Sequence, residues 1–264
     1  MSFFSKLRHA LGGTSEREIS PELATLRSDR RLHARFSIAQ SPHCRVELAN
    51  GVIGTVFDVS YSGLACRFPA GTTVTDQAAA KLIVLDASTD IVVTAARTPG
   101  QARDGHVFIG LHVLHQKPES LVFMRDLIEP LRSGQSFQPI EDHMRKDQYR
   151  GPDWSCLRGE GPVDYLVRSE GGTPTEALLT FVVGGRYCEL MLKDGAVKTG
   201  VAQGQTSSVA PGANMAQTVA PDTQVLRRAI FILLGVPTKL SHLTQPMLDA
   251  AVASLSRDGK IVAA

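Results

Sequence analysis

From Phe36 to Val113 short apolar runs alternate with polar residues and are separated by turn-forming pairs, a period-two pattern that predicts strands. The runs are Cys44–Leu48, Val52–Phe57, Leu64–Phe68, Lys81–Leu85, Ile91–Ala96 and Val107–Val113. Asn50-Gly51 between the first two is a strong signal for a two-residue hairpin. Six short strands joined by tight turns predict a small antiparallel barrel or sandwich. The period then changes. Leu121, Met124, Leu127, Ile128 and Leu131 lie on one stripe and predict a helix over Glu119–Leu131, with Pro130 and Gly134 marking its end.

Residues 133–152 are polar and aperiodic, which places a linker there. Beyond it Val163–Arg168, Ala177–Val183, Arg186–Lys193 and Ala196–Val201 read as a four-stranded meander. Gly171-Gly172, Gly184-Gly185 and Asp194-Gly195 separate these strands, and the last two are near-ideal hairpin turns. Gln203–Pro221, rich in small and polar residues, reads as a loop. Two helices follow, Asp222–Leu234 and Thr244–Ser256, and the unbroken run Ile230–Leu234 in the first calls for burial in the domain or in a partner interface. At the N-terminus Phe3, Phe4, Leu7 and Leu11 have helical spacing, and Ser20-Pro21 starts a second short helix. The expected organisation is an N-terminal helical segment (1–26), a six-stranded barrel with its C-terminal helix (27–132), the linker (133–152) and an α+β domain (153–264).

Composition narrows the function. With 43% hydrophobic and 20% charged residues the 264-residue chain is globular, and a net charge of +2 gives no footprint for DNA. No apolar run approaches the length of a membrane span. Cys44, Cys66, Cys156 and Cys188 show no zinc spacing and read as reduced thiols of a cytoplasmic protein. His112 and His115 fall on opposite faces of a strand, so no metal site is expected. The reactive residue types of the second half, Trp154, Cys156, Asp164, Tyr165, Tyr187, Cys188 and Glu189, form no nucleophile–base combination, and an enzyme is not expected.

Two motifs carry chemistry. Arg30-Arg31-Leu32-His33-Ala34-Arg35 precedes the first strand, and Asp58-Val59-Ser60-Tyr61-Ser62-Gly63 closes the second. An arginine fork matches phosphate oxygens or the O6 and N7 edge of guanine. A carboxylate accepts from the N1 and N2 donors of guanine, which arginine cannot read. Ser60 adds a hydroxyl, and Gly63 permits close backbone approach. Read separately, the motifs are a solvated basic turn and an Asx-type turn with glycine at positive φ. Arg97, directly after the fifth predicted strand, is a further candidate for the same pocket.

In order and spacing, Arg30, Arg31 and Arg35 with Asp58, Ser60 and Gly63 resemble the RRxxxR and DxSxxG motifs of the PilZ family. The strand Val107–Val113 followed by a helix is similar to the end of that domain. The resemblance covers about Arg27–Leu131 and implies a six-stranded barrel that binds cyclic di-GMP, with no other cofactor. Arginine at position 30 implies an intercalated pair of ligands. The family's outputs, motility and biofilm among them, imply a bacterial second-messenger receptor that changes conformation or binds a protein partner through its second half. A ligand-free PilZ scaffold for protein docking is the alternative.

Overall fold

The structure is a computed structural model and describes residues 34–38, 43–96, 104–114, 117–202, 215–217 and 220–257. The expected N-terminal helices, Arg30, Arg31, Arg97, His115 and most of Gln203–Pro221 lie outside these residues.

The first half forms the expected barrel. β1 (Phe36–Ser37) is followed by β2 (Cys44–Leu48), β3 (Ile53–Ser60), β4 (Gly63–Pro69), β5 (Ala78–Val84), β6 (Ala87–Ala95) and β7 (His106–Leu114). β2, β3, β4, β7, β6 and β5 pair in that cyclic order, all antiparallel, and β5 closes on β2. Each of the six strands thus has a partner on both sides, and the stretch of β3 beyond β2 offers an edge that β1 covers. Val46, Val56, Val59, Leu64, Cys66, Phe68, Leu82, Val93 and Leu111 fill the interior. The β2–β3 connection is one residue longer than the sequence predicts. Leu48 N–H donates to the Val52 carbonyl, leaving Ala49, Asn50 and Gly51 as a three-residue loop with Gly51 at positive φ.

Helix α1 (Pro118–Gln135) runs through Pro130 and ends one turn beyond the expected Leu131, next to Gly134. Tertiary packing overrides the local stop: Met124, Leu127, Ile128, Pro130, Leu131 and Gly134 are all buried. Leu121, expected in the stripe, is exposed in the second turn.

The second half is a larger sheet than the meander read from the sequence. β8 (Gln138–Pro139), β9 (Trp154–Arg158), β10 (Asp164–Glu170), β11 (Thr173–Val183), β12 (Arg186–Lys193), β13 (Ala196–Ala202) and β14 (Met215–Gln217) stand side by side in chain order, all antiparallel. The hairpin turns at 184–185 and 194–195 are two-residue loops with positive φ at both positions, as their sequences predict. Residues 133–152 carry the end of α1, β8 and two 3-10 turns (Asp142–Met144 and Asp147–Tyr149). Arg145 ties this segment down by donating to the carbonyls of Ile140 and Trp154.

α2 (Thr223–Gly235) and α3 (Ser241–Arg257) are the last helices of the described residues. The Asp222 carboxylate caps α2 by accepting from the N–H groups of Gln224 and Val225. Ile230–Leu234 is buried within the chain itself, in one core that extends from the barrel through α1, α2 and α3 to β9–β13. At the crossing of α1 and α2 the backbones touch. A Cβ at Gly134 would collide with the Ile232 carbonyl oxygen, and one at Gly235 with the Leu131 carbonyl oxygen. Nearby, Arg227 of α2 donates two hydrogen bonds, at 2.9 and 2.8 Å, to the carboxylate of Asp86 in the β5–β6 turn. Among the described residues no helix is long and apolar enough to cross a membrane.

Candidate functional site

The register of β1 on β3 builds the site. Phe36 lies opposite Val59 and Ser37 opposite Asp58, so Arg35 falls level with Ser60, inside the DxSxxG segment. Phe36 and Ile38 are buried and anchor the arm on either side of Ser37. Arg35 Nη1 donates to Asp58 Oδ1 at 2.6 Å across 23 residues of chain. Both side chains keep part of their surface in solvent, 26% for Arg35 and 32% for Asp58.

Asp58 faces outward because β3 carries a bulge. Val56 pairs with Cys66 and Asp58 with Ala65, which leaves Phe57 as the extra residue. Val56 and Val59 are buried on either side, whereas Phe57 and Asp58 are both half-exposed. The bulge therefore turns two consecutive side chains to the outer face.

The turn Tyr61-Ser62 then joins Ser60 to Gly63, which pair as the last rung of β3 and β4. Ser60 is buried, and its hydroxyl donates to the Gly63 carbonyl at 3.3 Å. Gly63 is not in the left-handed region, so the Asx-turn reading of this glycine does not describe it. What requires glycine is proximity. A Cβ there would lie 2.9 Å from the Leu111 carbonyl oxygen and 3.3 Å from Arg35 Nη2. Tyr61 packs against the core, and its phenol is pushed up by burial and secondarily by Glu129 of α1. The turn thus sits beside the helix.

Arg35, Asp58, Ser60 and Gly63 are brought together. Arg30 and Arg31 lie outside the described residues, as does Arg97. Next to this cluster is a group that the motif does not name. The rings of Phe57 on β3 and Phe108 on β7 approach to 5.5 Å between centroids at 50°, and the Arg67 guanidinium lies 5.5 Å from the Phe57 centroid. A sequence signal for it exists: Val56 and Val59 are three apart, which breaks the period of two.

The reactive residue types of the second half do not converge. Tyr165 and Cys188 point into the main core, while Cys156 belongs to a small cluster with Ile140 and Leu166 on the other face. Tyr165 donates its hydroxyl to the Leu243 carbonyl, and Asp164 is held by Arg158. Burial pushes the Cys188 thiol and the Glu189 carboxyl above their ordinary values. All four cysteines are buried and free of disulfides. No group of His, Cys, Asp and Glu that could hold a metal ion occurs among the described residues.

No family model matches the sequence, and no curated protein matches it. Among solved structures, the crystal structure of the Borreliella burgdorferi PlzA protein in complex with c-di-GMP is similar at 12% identity, over 87% of this chain and 99% of that one, with a TM-score of 0.31. A likeness this loose fixes neither fold nor ligand.

Proposed function

We propose that the chain is a cyclic di-GMP receptor of PilZ type, a binding module rather than a catalyst, that signals inside a bacterial cell. One observation carries the reading: Arg35, the last arginine of the first motif, meets the DxSxxG segment on the outer face of a closed six-stranded barrel, held against Asp58 and close to Gly63. The chemistry suits a guanine nucleotide. The arginine fork serves a phosphate or the guanine O6 and N7 edge, and the carboxylate takes the N1 and N2 donors. The Arg35–Asp58 pair holds both groups at the surface until the ligand divides them between its own donors and acceptors. The neighbouring Arg30 and Arg31 supply charge for further phosphates, and Arg30 supports binding of a stacked ligand pair.

Affinity is expected at about 1 µM or tighter, roughly 8 kcal/mol. Asp58→Ala should weaken binding and reduce the preference for cyclic di-GMP over cyclic di-AMP, read by calorimetric titration of both nucleotides. Unchanged discrimination would remove Asp58 from base recognition.

The output follows from the arm. β1, directly after Arg35, packs against both α1 and α2. A ligand that rearranges Arg35 thereby acts on a strand touching the barrel helix and the first helix of the second half. A change in solution scattering at ligand saturation and constant oligomeric state is expected, and an identical profile would confine the effect to the arm. That helical face is where we place the control of a protein partner.

A further inference from the structure

We infer that Phe108, supported by Phe57 and Arg67, is a stacking subsite for the second guanine of the same cyclic dinucleotide, an inference that rests on the receptor reading above. The bulge in β3 places Phe57 beside Asp58 on the outer face, so an aromatic ring and the base-reading carboxylate are chain neighbours facing the same way. β4 lies between β3 and β7, and the Phe57 and Phe108 rings meet above it. Phe57 is half-buried and held by Arg67, whereas Phe108 leaves 54% of its surface in solvent. An aromatic side chain in the middle of a strand, held on one side by a second ring and with over half of its surface in solvent, is a platform for another planar group.

The ground between this platform and the Arg35–Asp58 pair is nearly bare. Asp58 stands opposite Ala65, and Ala65 opposite Gly110, so one row across the three strands carries no large side chain beyond Asp58. Beside Gly110 lies Ala96, whose Cβ would be 3.6 Å from a Cβ at that glycine. Two strand spacings make this row about 10 Å wide, and Phe108 is one two-residue step of about 7 Å along β7 from Gly110. A ligand with two planar bases on a phosphate-bearing ring fits such a floor with one base at each end. Arg67 is exposed, and among the described residues no carboxylate pairs with it, so its charge is available to the phosphates between the bases. An aromatic cluster serving only cross-strand packing would not need its outermost ring open to solvent beside the site.

The test uses the full chain and cyclic di-GMP in calorimetry, with thermal unfolding as the control. Phe108→Ala is expected to weaken binding roughly tenfold while leaving the unfolding midpoint close to wild type, and Phe108→Tyr, which keeps the ring, is expected to restore affinity. Wild-type affinity in Phe108→Ala, or equal loss in Phe108→Tyr, would overturn the subsite alone. A wild-type chain that ignores cyclic di-GMP would overturn the receptor reading and the subsite with it.

Discussion

Arg35→Ala is expected to lower cyclic di-GMP affinity by about tenfold to a hundredfold, the equivalent of roughly 1–3 kcal/mol for a lost bidentate contact. Stability should hardly change, because the Arg35–Asp58 pair is partly solvated and such pairs contribute about 1 kcal/mol or less. That separation makes the variant informative: affinity falls while the unfolding midpoint stays put. Arg35→Lys should not restore binding, since a point charge lacks the planar fork. The position of Arg35 gives a reason for the size of the effect. The chain directly after it is anchored by the buried Phe36 and Ile38 and its guanidinium is held by Asp58, so less entropy remains to be lost when the ligand arrives. Binding by Arg35→Ala at wild-type strength would show that Arg35 serves only to hold Asp58.

The second large effect is on the fold. Gly235→Ala and Gly134→Ala are each expected to destabilise the chain by about 3 kcal/mol, measured by urea unfolding. Two terms of opposite sign compete. Replacing a helical glycine by alanine ordinarily favours the helix by about 1 kcal/mol. Here the new methyl would meet a backbone carbonyl oxygen of the facing helix, and backbone cannot step aside as a flexible side chain does. Overpacking of a tight core costs about 1–3 kcal/mol even where side chains are free to adjust, so the clash wins. The facing carbonyls belong to Ile232 and Leu131, residues buried in the shared core, and separating α1 from α2 would open that core. A stabilised Gly134→Ala or Gly235→Ala would mean that the helices do not approach this closely. Because α1 is the barrel's helix and α2 belongs to the second half, the same variants should also alter the transmission of ligand binding through β1.

Strands with clean alternation between good turns were legible. Cys44–Leu48 and Arg186–Lys193 occupy the residues the pattern predicts, and the other barrel strands differ by a few residues at their ends. Elements that depend on distant partners were not. β1 is two residues long and exists only because β3 offers it an edge, which no local pattern reports. Helix α1 outruns its expected end at Leu131 by one turn for a similar reason, since burial of Leu131 and Gly134 outweighs the backbone hydrogen bond lost at Pro130. β9 carries no period-two signal, because Cys156 and Leu157 are both buried, one on each face of the sheet. Met215–Gln217, within the segment read as a loop, pairs with β13 although its composition is that of a linker.

For the site, motif spacing pointed to the meeting of Arg35 with Asp58 but not to its geometry. The joining of Arg35 to Asp58 follows from arginines before one strand and DxSxxG after the next. The reason for Gly63 did not follow. It is the approach of the Leu111 carbonyl on β7, a strand that enters the barrel some fifty residues later, and not the turn geometry that glycine first suggests. The bulge at Phe57 was half-visible in the spacing of Val56 and Val59, while its effect of setting an aromatic ring beside the carboxylate needed the positions of β4 and β7.

The central claim is that the outer face around Arg35 and Asp58 binds cyclic di-GMP. Calorimetric titration of the intact chain tests it most directly, with cyclic di-AMP as the matched control and an Arg35→Ala, Asp58→Ala double variant as the blank. The account predicts saturable binding of cyclic di-GMP at about 1 µM or tighter, two ligands per chain, weak binding of cyclic di-AMP and loss of the signal in the double variant. Absence of heat from the wild-type chain at about 100 µM ligand, or binding that survives in the double variant, would contradict it.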